Sequence, residues 1–279
     1  MARHNQVSLY GMVSEDPIIV VNEETGEYRK GMMNVILIRN KRDVGDKDND
    51  AIRCDRPIIY TGNPEMIEIM SKLKQNDLVE IKGFLTTADI QKKTTCKHCG
   101  KANVFKGTLT FITPVFIDIR KTESTERESL VELKDHMEIS NQILLIGNLC
   151  DDVQYYHDGK VKSVLYQLAV NRKYYLSDGL PNVRTDYPFI RSFGENASQD
   201  RDSLYKGSMV LVDGRIQTRE FQRKNACEFC GEKYEWTDNT IEVIPYSTEY
   251  LQNFHTPEEI EQKQADELAK IKESLFGDN

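Results

Sequence analysis

The chain has 279 residues, 29% of them charged and 39% hydrophobic, with a formal net charge of −8. That length suits two domains of ordinary size better than one small barrel. No run approaches the roughly 18 apolar residues of a membrane span, and the opening Met1-Ala-Arg-His-Asn-Gln6 lacks the apolar segment of a secretory leader, so the reading is cytoplasmic with no membrane contact.

The charge is unevenly spread: residues 1–120 carry +2, 121–140 carry −3, 141–254 carry −3 and 255–279 carry −4. Linker and tail supply most of the acidity. The two larger segments are near neutral, so a polyanionic partner would be met by local patches and stacking rather than by a global field.

In chain order, a first strand is expected over residues 7–13, a turn at Asn22-Glu-Glu-Thr-Gly26, and further strands over 33–39 and 57–60, with a polar loop over 43–50. Asn63-Pro64 is an N-cap followed by proline at the first helical position. Met66, Ile67, Met70 and Leu73 fall at helical spacing behind it and predict a helix that plugs a barrel. Strands over 78–85 and 108–119 flank the pair Cys96-Lys-His-Cys99-Gly100. Residues 121–140 form an acidic linker with a short helix over 126–134.

Beyond the linker, Tyr187-Pro-Phe-Ile-Arg-Ser-Phe193 reads as a strand leading into a short polar helix, and Met209-Val-Leu-Val212 as a strand between Gly207 and Gly214. Arg215, Gln217 and Arg219 alternate with Ile216 and Thr218, a basic edge on one strand face that ends at Phe221. In the tail, Thr256, Pro257 and Glu259 form a capping box, and Ile260, Leu268, Ile271 and Leu275 lie along one side of a helix that docks on its own protein or a sister subunit.

The chain repeats itself. Asn5-Gln-Val-Ser-Leu-Tyr-Gly11 matches Asn141-Gln-Ile-Leu-Leu-Ile-Gly147 at an offset of 136. Leu78-Val-Glu-Ile-Lys-Gly83 matches Met209-Val-Leu-Val-Asp-Gly214, and the Cys96/Cys99 pair matches Cys227/Cys230, both at 131. Ordered marks at nearly constant offset indicate a tandem duplication. The expected layout is a first barrel over 3–120, a linker over 121–140, a second barrel over 141–254 and an acidic helix over 255–279.

Residues 141–221, through Asn141 to Leu149, Leu168-Ala-Val-Asn-Arg172 and the blocks from Tyr187 to Phe221, resemble the bacterial single-stranded-DNA-binding protein family. The resemblance implies an all-β chain of two five-stranded Greek-key OB folds, here with long cysteine-bearing hairpins. It implies base stacking at Tyr174, Tyr187, Phe193 and Phe221, with Phe193 the one most open to being core. The same positions in the first repeat are Arg42, Asp55, Thr61 and Ile90, none aromatic, and 16 of the 24 aromatic residues lie in 141–254 against 7 in 1–120. The second barrel is thus the expected stacking barrel. The first contributes phosphate contacts through Arg39, Lys41 and Arg42, or serves only as a pseudo-dimer partner.

Both cysteine pairs read CxxCG, the spacing of a zinc knuckle, yet each repeat offers two thiolates where four-coordinate zinc needs four ligands. The economical solution is one site of Cys96, Cys99, Cys227 and Cys230, shared between repeats or between chains. His98 is the less favoured extra ligand, since a side chain between two knuckle cysteines normally points away. A redox dithiol lacks the helix start that would activate it, and Cys54 and Cys150 read as packed residues.

The function expected is sequence-tolerant, non-catalytic coating of single-stranded DNA in replication, recombination or transfer. Bases would stack on the four aromatics and on Tyr175 and Trp236, and phosphates would meet Arg172, Lys173, Arg191, Arg215, Arg219, Arg223 and Lys224. Two barrels per chain imply a homodimer by analogy. The tail helix departs from the family's disordered acidic tip but is acidic enough to recruit replication or transfer proteins. A duplicated, cysteine-bearing variant fits a phage, plasmid or conjugative element. The alternatives are a protein-binding scaffold of a primosome or conjugation complex and a single-stranded RNA-binding regulator. No phosphate-binding glycine loop, nucleophile elbow or carboxylate cluster argues for an enzyme.

Overall fold

The computed structural model describes residues 4–39, 53–159, 161–172, 185–262, 265, 266 and 268. The first repeat contains β1 (Asn5–Val13), β2 (Ile18–Val21), β3 (Tyr28–Arg39), β4 (Arg53–Asp55), β5 (Ile58–Thr61), α1 (Pro64–Ser71), β6 (Leu78–Thr95) and β7 (Ala102–Lys121). The linker forms α2 (Glu126–Asp135). The second repeat contains β8 (Asn141–Leu149), β9 (Gln154–Asp158), β10 (Val161–Asn171), β11 (Thr185–Asp186), β12 (Phe189–Phe193), α3 (Gly194–Ser203), β13 (Met209–Ala226) and β14 (Lys233–Gln252).

Each repeat closes on itself. In the first, β1 pairs with β3 and β6, β3 with β5, β5 in parallel with β7, and β7 with β6. In the second, β8 pairs with β10 and β13, β10 with β12, β12 in parallel with β14, and β14 with β13. Both circuits are OB folds. The α1 helix starts as expected: the Asn63 side chain accepts from the Glu65 and Met66 amides at 2.9 and 3.4 Å. Met66, Ile67, Met70 and Leu73 are all buried, each worth about 1.5–3 kcal/mol of transferred surface, so the helix does plug the barrel.

The barrels share one sheet through antiparallel pairing of β1 with β8, in a register that sets Val7 opposite Ile143. These two residues are repeat equivalents at offset 136, so a pseudo-two-fold axis passes through their pairing. Asn5, fully buried, and Asn141 repeat the same device: each side-chain amide donates to a strand carbonyl and accepts the amide N–H of one residue (Leu85 and Ile216, at 2.7–2.9 Å).

The hairpin arms are longer than expected. The β6 and β13 strands run past the barrel to Thr95 and Ala226, with β7 and β14 returning beside them. Gly83 and Gly214 mark matching register shifts in these arms, where an added Cβ would stand 2.3 Å from the Thr113 carbonyl oxygen and 2.4 Å from that of Ile244. The α2 helix carries a complete Thr125/Glu128 capping box and lies on Tyr10, whose hydroxyl donates to Glu132 at 2.9 Å. In the tail, residues 257–262 are helical, opened by the expected Thr256–Glu259 bonds. Ile260 is half-buried, Leu268 is 54% exposed, and Ile271 and Leu275 lie outside the described residues.

Candidate nucleic-acid interface

Strand alternation on β12 turns Ile190 and Ser192 inward and Phe189, Arg191 and Phe193 outward. Tyr187 continues the same row. Tyr187, Phe189 and Phe193 are 45%, 37% and 42% exposed, which places Phe193 on the surface and not in the core. Next to Phe189 in register stands Glu242 of β14, and opposite it Gln217 of β13. From there Arg219, Phe221 and Arg223 recur along one face of β13. Phe221 is half-buried, with the Arg219 and Arg223 guanidinium carbons 5.7 and 5.2 Å from its ring centre. One open face of the second barrel therefore carries four aromatics at strand spacing. Phe189 is not among the residues expected from the sequence, although its alternation with Tyr187, Arg191 and Phe193 marks it.

The cations of this face are held in place. Glu242, 3% exposed, accepts two bonds from Arg191 at 2.9 and 3.1 Å and one from Arg219 at 3.0 Å. Arg223 pairs with Asp238 at 2.9 Å and Lys224 with Glu235 at 2.6 Å. Only the Lys224–Glu235 pair is exposed on both sides and so contributes little to stability; a phosphate can displace Glu235 cheaply, whereas Glu242 and Asp238 are buried.

Three expected phosphate contacts fall in the seam between the barrels, and the assignment is withdrawn for them. Arg172 makes a two-pronged pair with the fully buried Asp186 at 2.6 and 2.7 Å, and Asp186 reaches across to accept from the Thr87 amide at 2.8 Å. Arg39 repeats this in the other barrel: it pairs with buried Asp55 at 2.7 Å, which accepts from the Thr218 amide at 2.8 Å. Burial pushes the Asp55 carboxyl up, opposed by Arg39 and the Thr218 amide. Arg215 is 5% exposed and donates to Gln217 at 2.8 Å, so it cannot reach a phosphate from there. These bonds also correct the repeat alignment: Asp55 answers to Asp186, and Tyr187, whose amide donates to Thr87, answers to Arg56, whose amide donates to Thr218. Lys41, Arg42, Lys173, Tyr174 and Tyr175 lie outside the described residues.

At the far end of the hairpins all four paired cysteines converge. Their Sγ atoms lie within 4.8 Å of one another, with Cys96 to Cys230 at 3.8 Å and Cys99 to Cys227 at 3.6 Å. Zinc–thiolate bonds of about 2.3 Å imply tetrahedron edges of about 3.8 Å, so the cluster has the size and donor set to hold a metal, within one chain. Each pair turns through a glycine at positive φ, Gly100 at 70° and Gly231 at 75°. Burial pushes the Cys227 thiol up, but bonds from the Phe229 amide, the Asn103 side chain and neighbouring cysteines outweigh it and hold the thiol at about 6. Below the cysteines, Phe105 and Trp236 stack at 4.9 Å and 13°, Thr94 bonds Tyr234 at 2.8 Å, and Lys92 pairs with Asp238. Phe105 and Trp236 are again repeat equivalents, at offset 131.

Residues 140–240 match the model of the single-strand binding protein family. The single-stranded DNA-binding protein of Staphylococcus epidermidis is 25% identical over 117 residues, covering 42% of this chain and 83% of that protein. Single-stranded DNA-binding protein B of Bacillus subtilis is 32% identical over 85 residues, 30% of this chain and 74% of that protein. The crystal structure of the wild-type single-stranded DNA binding protein from Thermus aquaticus covers 91% of this chain and 97% of its own with a TM-score of 0.58; at 18% identity it bears on the fold alone. By the Bacillus subtilis relative and the family match, this chain belongs to the single-strand binding protein family.

Proposed function

We propose that the chain binds and coats single-stranded DNA without strong sequence preference and without catalysis, in the cytoplasm, during replication, recombination or transfer of DNA such as that of a phage or mobile element. The observation that carries this is the open face of the second barrel, where Tyr187, Phe189, Phe193 and Phe221 offer ring faces beside Arg191, Arg219 and Arg223. Bases of any kind stack on such rings and phosphates follow the arginines. On this reading residues 3–120 and 141–254 are the two barrels, 121–140 the connector and 255–279 a tail that meets other replication or transfer proteins. Two chains form a four-barrel homodimer. The test is Tyr187→Ala combined with Phe221→Ala, titrated with oligo-dT. Stacking contributes about 1–3 kcal/mol per base, so affinity should fall roughly 30-fold or more, with the thermal midpoint nearly unchanged; affinity equal to the parent protein's would sink the assignment.

Cys96, Cys99, Cys227 and Cys230 are proposed to hold a structural zinc ion that joins the two hairpins of one chain. An all-thiolate set with no open position fits a structural site. Metal analysis of the purified chain should find one zinc per chain, lost in Cys99→Ser with Cys230→Ser; six free thiols in metal-replete protein, Cys54 and Cys150 included, would remove the proposal.

A further inference from the structure

The two hairpins leave an open groove of about 500 Å³ on one flank, within the volume range of ligand sites. Phe105 and Lys106 come from the first repeat, and Phe221, Arg223, Lys224 and Trp236 from the second. It is lined by the Phe105–Trp236 stack and by the Phe221 ring with Arg223 against it. Lys106 is exposed and has no ion pair among the described residues.

The pseudo-two-fold axis generates a second flank, which allows an internal comparison. There Phe221 is replaced by Ile90, Lys106 by Thr237 and Val104 by Glu235, at offset 131. Arg223 and its counterpart Lys92 both pair with Asp238, so the flanks differ at the other three positions. One flank carries three cations and the Phe221 ring; the other keeps two cations, Lys92 and Lys93, and has Ile90 in place of the ring and the carboxylate of Glu235 in place of Val104. A solvated hairpin surface gives no reason for that difference; a stacked, negatively charged ligand on one side does.

We infer that this groove receives bases of the bound single strand, so that the first repeat joins the DNA interface through Phe105 and Lys106 at its hairpin and not through its barrel face. The inference rests on the DNA-binding reading above and extends that surface beyond Phe221 to the cysteine cluster. The strand would run along β13 from Phe221 and Arg223 into the groove, which exists only while the two hairpins are held together.

The test uses the full, metal-loaded chain and oligo-dT at several salt concentrations. Phe105→Leu keeps an apolar side chain in the hairpin contact but removes the ring, and should weaken binding roughly 5- to 150-fold, the value of one stacked base. Lys106→Glu, which disturbs no hairpin contact, should weaken binding and flatten the salt slope by about 0.7, one phosphate's share for a single strand. Lys93→Glu, the repeat equivalent of Lys224 on the other flank, should bind within twofold of the parent. Metal content equal to the parent's in each variant shows that the hairpins remain clasped; if Phe105→Leu loses metal, Lys106→Glu and Lys93→Glu decide. If Lys106→Glu binds like the parent, or the two charge reversals weaken binding equally, the groove is not part of the interface. The DNA-binding reading then stands or falls on the Tyr187/Phe221 variant. Failure of the parent chain to bind oligo-dT would overturn both.

Discussion

Replacing Glu242 by glutamine tests how the arginines of the open face are held. Glu242 is almost wholly buried and accepts three bonds from Arg191 and Arg219. The Arg191 side chain is 15% exposed and that of Arg219 45%, so most of the energetic weight lies with Arg191. Removing one partner of a buried pair costs about 3–5 kcal/mol. Glutamine keeps the shape and still accepts one bond, which returns about 1 kcal/mol, so a loss of about 2–4 kcal/mol is expected in urea unfolding followed by Trp236 fluorescence. DNA binding should move the other way. Two arginines released from a carboxylate are free to neutralise phosphate, and each adds about 0.7 to the salt slope on a single strand, about 1.4 together. Titration of oligo-dT from low to moderate salt reads that slope directly. A less stable protein with both slope and oligo-dT affinity unchanged would show that Arg191 and Arg219 do not reach the strand even when released, and would refute their placement in the interface.

Gly214→Ala puts a Cβ 2.4 Å from the Ile244 carbonyl oxygen at the hairpin's register shift; backbone must move, and a loss of about 1–3 kcal/mol is expected in chemical unfolding. Asp200, buried beneath the Tyr250 hydroxyl, has its carboxyl pushed up by burial. A raised folded value means that acidification protonates the folded state first, so the cost of burying the charge is present at neutral pH and relieved as the pH falls toward the ordinary carboxylate range. Asp200→Asn should therefore be at least as stable as the parent at pH 7, and the parent should regain ground on it by pH 5; a difference independent of pH would count against the burial argument. Chelation of the metal-loaded chain should weaken oligo-dT binding and expose four reactive thiols per chain, measured by thiol titration, while binding unchanged after metal loss would separate the clasp from the DNA site.

Local chemistry was legible in the sequence, and long-range pairing was not. The Asn63-Pro64 start of α1, its buried row of Met66, Ile67, Met70 and Leu73, and the Thr256 cap depend on neighbours within a few residues, and all were read from spacing. The duplication and the four-cysteine cluster followed from repeated motifs at fixed offset. The arms of β6 and β13 escape the sequence reading because polar residues occupy even the half-buried face of the β6 arm and the β13 arm is nearly all exposed, so Lys92, Thr94, Arg223 and Asn225 show no apolar period to follow. The arginines misled for a different reason. Arg172 sits 14 residues from its carboxylate and Arg191 is separated from Glu242 by 51, and nothing in a basic-edge pattern tells a free guanidinium from a spent one. Phe105 could have been found, since offset 131 from Trp236 lands on it, but a lone aromatic in an aromatic-poor repeat reads as ordinary packing.

The two halves differ in a way that fits a dimer interface carried inside one chain. Positions that join the two barrels are kept twice: Asp55 and Asp186, which accept from Thr218 and Thr87 of the opposite barrel, and both cysteine pairs. Each of these does the same job in both barrels, because an isologous contact needs identical surfaces on its two sides. Positions that face outward are kept once: Phe221 against Ile90, Tyr187 against Arg56, Lys106 against Thr237. Two identical subunits could not make that division, since any change to one surface appears in both. Covalent tandem linkage removes the restriction, and the chain uses it to hold one half constant as a scaffold while concentrating rings and cations along a single track from β12 through β13 to the hairpins.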